Sequence, residues 1–246
     1  MAATYDKLDL SDCELCEVPA GVWDLTNLQE LSLASNKLTR LPDDVGRLTS
    51  LQRLVVAGNA LPALPDALAG LPDLQGLYIN SNRLQSLPAD LAGLTALCTL
   101  HAANNGLEAV PESLTQLCSL EDLSLAGNRL RCVPRDWAGL KALQKVQLYG
   151  NGLTALPSGL GSLPLLQVRL DSVPTDWHMR RGDGGRLYVL SAVEARSAGL
   201  SSRHSGFRIL CARKRAGCHC AAAKRVSTTR RDARKRSSRH ARAMQA

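Results

Sequence analysis

Large rings are scarce in this chain: 1 Phe, 4 Tyr and 3 Trp make up 3% of 246 residues. A core of stacked aromatics is therefore excluded, and Leu, Val and Ala have to fill the interior in a regular pattern. Long apolar runs are also missing, since no stretch approaches the roughly 18 residues read as a membrane-spanning helix. The opening MAATYDKLDLSDCELC has no apolar segment after a basic one, so no secretory signal is expected. The 8 cysteines show no framework of paired spacings. Without an export signal, free thiols in a reducing compartment are expected. No phosphate-binding GxxxxGK and no kinase signature is present, so the sequence gives no support to nucleotide chemistry.

Positive charge is thin in the front of the chain. Residues 1–166 hold 11 Lys and Arg against 17 Asp and Glu, whereas residues 167–246 hold 19 against 5. The net charge of +8 is thus a basic tail joined to a mildly acidic body.

What the body does have is a period. Leu28, Leu51, Leu74, Leu97, Leu120 and Leu143 stand 23 residues apart, and each opens one phrase, from LQELSLASNKL to LQKVQLYGNGL. Tyr5 opens a degenerate earlier copy, YDKLDLSDCEL. Inside the phrase, apolar residues alternate with polar ones, the period of a short strand with one buried face. Leu31 and Leu33 are read as inward, and Glu30, Ser32 and Ala34 as outward. Asn36, Asn59, Asn82, Asn105, Asn128 and Asn151 recur where the chain leaves the strand. A side-chain amide both donates and accepts, so they are expected to form a buried ladder that satisfies turn backbone, with Cys13 in that place in the first copy. In the second half of each copy a Pro such as Pro42 suits the start of a short helix. No copy buries its apolar face alone, so the copies have to stack.

The phrase resembles the leucine-rich repeat family, LxxLxLxxN/CxL, over about residues 5–177. The LPxxLxxLxxL return is similar to the intracellular Ras-group and Ras-suppressor-like subclass. The fold class expected is α/β: a leucine-rich-repeat solenoid over residues 1–178, with a curved parallel β-sheet and short helical or irregular convex returns, then a disordered basic tail over 179–246. Seven 23-residue repeats are counted, followed by a vestigial eighth. In that last copy Leu166 is the in-phase opener, and RLDSVPTDW repeats RLRCVPRDW 40 residues on, not 46. About six residues around its strand and Asn position are therefore read as lost. The Arg-, Ser- and Ala-rich tail buries too little apolar surface to fold alone; an out-of-frame gene end is the other reading of the same composition.

The resemblance implies binding on the concave sheet. Its outward positions include Arg53, Tyr78, Asn80, His101, Asp122, Lys145 and Tyr149, types suited to mixed apolar and polar contact, beside a low strip of Ala34, Ala57, Ala103 and Ala126. A catalytic trio of His101, Ser124 and Asp122 is disfavoured. Ser124 is read as two rungs from His101, no GxSxG accompanies them, and the rung spacing puts the pair about 5 Å or more apart. Cys13 and Cys16 in CELC, and Cys211, Cys218, His219 and Cys220 in the tail, lack an established redox or zinc context. No cofactor is expected. The reading that results is a non-enzymatic protein–protein interaction scaffold in intracellular signalling, cytoplasmic. The resemblance implies a small GTPase, phosphatase or kinase as partner. The alternative is an electrostatic tether, in which runs such as RRDARKRSSRHAR bind nucleic acid or anionic lipid, or act as a nuclear address.

Overall fold

A computed structural model describes residues 6–154, 157, 167–170, 177–181, 187–191 and 210–211. Each described copy opens with a three-residue strand. These are β1 Lys7–Asp9, β2 Glu30–Ser32, β3 Arg53–Val55, β4 Gly76–Tyr78, β5 Thr99–His101, β6 Asp122–Ser124 and β7 Lys145–Gln147. Neighbours pair in parallel with partners 23 residues apart, as in Leu31↔Leu54 and Leu54↔Leu77. The alternation read from the sequence decides which side is inside. Leu31, Leu54, Leu77, Leu100, Leu123 and Val146 are all buried, as are Leu33, Val56, Ile79, Ala102, Leu125 and Leu148. With one stripe of Leu per rung, the core runs continuously through the stack.

The strands are short because the chain turns at once. The residue before each ladder position is left-handed in every described copy: Asp12, Ser35, Ser81 and Asn104 near φ +55, and Gly58, Gly127 and Gly150 near +70. Most L-residues avoid this region, and Gly, Asn and Asp tolerate it best. At Gly150 a Cβ would meet the Gly127 backbone at 2.9 Å, so successive turns stack too closely for a side chain there.

Past the turn, four returns form short 3-10 helices, Ala20–Asp24, Asp43–Arg47, Asp66–Gly70 and Glu112–Gln116, each preceded by proline. The fourth and sixth copies form turns where short helices were also expected. In both, an aspartate side chain captures the backbone two residues on: Asp90 Oδ1 accepts from Ala92 N at 2.9 Å, and Asp136 Oδ1 from Ala138 N at 2.9 Å. Such bonds compete with helical ones. The sixth return also carries Trp137 inward, in the column of Val45, Leu68, Leu91 and Leu114.

The vestigial eighth copy keeps its strand, contrary to the expectation that it was lost. β8, Gln167–Leu170, pairs in parallel with β7, but its partners are 22 residues apart (Val146↔Val168). The register of β8 is therefore one residue short of the 23-residue step. The cause is the buried face: Val168, 1% exposed, replaces the strand's central Leu. β9, Trp177–Arg181, and β10, Leu187–Ser191, form an antiparallel pair, and β11, Leu210–Cys211, pairs with β8. These strands fall where no regular structure was expected. The rest of the tail lies outside the described residues. Among the described residues no helix is long and apolar enough to cross a membrane.

Candidate functional site

The asparagine ladder shapes the rim of the sheet. Asn105 Nδ2 donates to Ile79 O, Ala102 O and Ala103 O at 3.0–3.3 Å, while its Oδ1 accepts from Leu84 N at 3.1 Å. Asn36, Asn59, Asn82, Asn128 and Asn151 repeat this pattern. Asn36, Asn82 and Asn128 are buried, whereas Asn59, Asn105 and Asn151 are half-buried. Cys13 is exposed, not buried. Its turn has left-handed residues on both sides, Asp12 and Glu14. Its Sγ donates to Ser11 O, while Asn36 Oδ1 accepts its backbone N–H.

With the inward positions committed to the core, the sheet shows three outward columns. At its first rungs the polar groups satisfy one another. Lys7 Nζ lies 2.8 Å from Glu30 Oε1, and the Ser11 and Ser32 hydroxyls are 2.6 Å apart. The Ser11 hydroxyl and backbone N–H, together with the Ser32 hydroxyl, hold the Asp9 carboxyl below its ordinary range.

The middle rungs behave differently. The Arg53 guanidinium lies over the Tyr78 ring, 4.6 Å from its centroid. Tyr78 meets His101 edge-to-face at 5.2 Å and 86°. His101 Nε2 is 3.5 Å from Asp122 Oδ1, and Asp122 Oδ2 is 3.7 Å from Lys145 Nζ. One line of contacts therefore crosses five consecutive strands, β3 to β7. Arg53, Asp122 and Lys145 stand in the first column and Tyr78 and His101 in the second, so the line runs diagonally between columns. His101 Nε2 and Asp122 Oδ1 are themselves buried without a hydrogen-bond partner.

Five of the seven outward residues singled out in the sequence thus come together. Asn80 does not join them, because its Oδ1 accepts from Ala103 N at 2.9 Å and supports the next rung. Tyr149, half-buried past the end of β7, also stands outside the line. Ser124 pairs in register with His101 on the adjacent strand, not two strands away, and it is 5% exposed. Among the described residues no group of three His, Cys, Asp or Glu is arranged to hold a metal.

Gly76 is outward by the same alternation, and its role comes from having no side chain. Its strand position lies under the Tyr78 ring: a Cβ there would meet Tyr78 Cε2 at 2.9 Å and Oη at 3.5 Å. The missing side chain lets Tyr78 lean across its strand to reach Arg53. Gly76→Ala should therefore leave the melting temperature nearly unchanged, because the ring end can swing away. It should also change the near-ultraviolet circular dichroism of Tyr78, and an unchanged Tyr78 signature would show that the glycine plays no part in the pose.

Residues 6–61 match the model of the leucine rich repeat family. No curated protein matches the chain. Among solved structures, a leucine-rich-repeat protein of Leptospira interrogans is similar at a TM-score of 0.51 and 28% identity, covering 69% of this chain. This chain spans 57% of that protein's length. Residues 6–61 thus carry the leucine-rich repeat, and the parallel ladder that continues from them has the fold of a leucine-rich-repeat solenoid.

Proposed function

We propose that this chain is a non-enzymatic interaction scaffold of intracellular signalling that docks a protein partner on its concave sheet, centred on Arg53, Tyr78 and His101. Leucine-rich-repeat folds commonly mediate protein–protein contact. The observation that carries the reading is the line of five outward side chains from Arg53 to Lys145. Each lies on a rigid strand, so little ordering is left for a partner to impose. Arginine and tyrosine are the types that most often dominate binding energy. The resemblance to intracellular Ras-group repeats supplies the signalling part of the reading, the cytoplasmic setting, and a GTPase, phosphatase or kinase as partner.

The test compares the full chain with the Arg53→Glu, Tyr78→Ala, His101→Ala variant as baits in the source-cell lysate at moderate salt. A protein retained by the first and lost by the second, with both baits folded, is the expected result. Identical recovery by the two baits would remove the concave sheet from the proposal. The excess of 19 basic over 5 acidic residues in 167–246 favours a second reading, an electrostatic tether to nucleic acid or anionic lipid. Tether binding collapses between low and moderate salt, whereas docking with apolar anchors mostly survives.

A further inference from the structure

On that reading of the concave sheet, we infer that the partner presents a carboxylate beside small apolar groups, and that Arg53 is the residue that takes it. The charges of the face lead to this. Lys7 is answered by Glu30 at 2.8 Å, and Asp122 by Lys145 and His101. Asp9 is held by the hydroxyl and N–H of Ser11. Arg53 is the one strand charge of this face, among the described residues, without an oppositely charged or hydrogen-bonding side-chain partner. Glu30 stands opposite it in register. Glu30, however, is engaged by Lys7, and Arg53 leans the other way, onto Tyr78.

The Tyr78 contact leaves the donors of the guanidinium unspent: it places Arg53 Cζ over the ring face and involves no hydrogen bond, so the five N–H groups remain available. The Tyr78 contact therefore fixes the group without consuming its fork, the arrangement that grips a carboxylate through two parallel bonds. Part of the side-chain entropy is already lost before a ligand arrives. The surroundings narrow the ligand further. Val55 pairs in register with Tyr78, and Ala57 and Ala34 stand two residues past the ends of β3 and β2. An acid docking on Arg53 thus lies over methyl groups, which suit an Ala, Val or similar neighbour.

A doubly charged phosphate fits less well. Sites for phosphorylated motifs draw on clusters of arginines, and the next cation along the line, Lys145, is four strands away, roughly 19 Å at the usual strand spacing. Glu30, on the adjoining strand, also opposes a second negative charge. The occupant is therefore an acidic peptide segment with small apolar flanks.

Selection of short random peptides on the immobilised full chain tests this. Enriched sequences should share an Asp or Glu next to small apolar residues. A synthetic peptide of the best sequence should weaken by about tenfold or more when its acid becomes the matching amide, and by a similar factor on Arg53→Gln. Arg53→Lys, which keeps the charge but not the fork, should fail to restore affinity, and Arg40→Gln, exposed and off this face, should change nothing. Thermal melts of each variant confirm that it is folded. Enriched peptides without an acid that still depend on Tyr78 would overturn this inference and leave concave docking standing. Tighter binding with phosphoserine in place of the acid would overturn the choice of carboxylate. Peptides that bind the Arg53→Glu, Tyr78→Ala, His101→Ala variant equally well would remove both this inference and the concave proposal. A selection that enriches nothing would overturn the carboxylate site alone.

Discussion

Trp137→Ala should destabilise the protein by about 3–5 kcal/mol, the largest single effect expected. Trp137 is fully buried in the sixth return, in a column that elsewhere holds Val or Leu. Truncation there opens a hole as wide as an indole between neighbouring rungs, and rungs held at strand spacing cannot close over it. The indole Nε1–H makes no hydrogen bond among the described residues. Burying a donor without a partner costs stability, so Trp137→Phe should lose far less than its lost ring area suggests, under about 1.5 kcal/mol. Urea unfolding of the two variants checks both numbers. If Ala and Phe cost the same, the site is not the tight interior position described.

Asn105→Ala is next, with a loss on the order of 1–3 kcal/mol. It strands three carbonyls, Ile79 O, Ala102 O and Ala103 O, together with Leu84 N. Tyr78→Ala, on the outward face, should cost well under about 1 kcal/mol, because exposed positions tolerate change. The comparison tests the division into inside and outside directly. Equal drops in melting temperature for Asn105→Ala and Tyr78→Ala would contradict it.

Much of the ladder was legible because two periods coincide. The 23-residue step places Leu31 and Leu54 in register, and the alternation within each phrase says which side they face. The left-handed column was legible too, though it takes a different clue. Asp12, Ser35, Gly58, Ser81, Asn104, Gly127 and Gly150 contain no bulky side chain, and three are glycine. The missing helices in the fourth and sixth returns followed from aspartates at positions 90 and 136, but Asp44 occupies the same column inside a helix. Residue type alone therefore could not separate them. The slip at β8 was hidden because Leu165 and Leu166 are adjacent, and either satisfies the opening position of the phrase.

The site was legible as a set of positions, not as a set of contacts. Period 2 places Arg53 and Tyr78 on one face. Their meeting depends on how far a tyrosine ring can lean, and Gly76 decides that by having no side chain. Asn80 belonged to the same face by pattern, and it was removed from the site by a bond to Ala103 N that no spacing rule announces.

The bonds that the ladder asparagines make between rungs all point one way. Asn59 reaches Leu33 O and Leu38 N, and Asn128 reaches Ala102 O and Leu107 N, always in the rung already behind it. During synthesis, which runs from the N-terminus, each new turn therefore finds its polar partners in chain that has already emerged. None of these bonds has to wait for the rung still to come. The solenoid is thus suited to growth by one rung at a time at its newest end, although the strand and turn N–H groups of each rung, such as Leu33 N, Ser35 N and Leu38 N, are satisfied only when the next rung arrives.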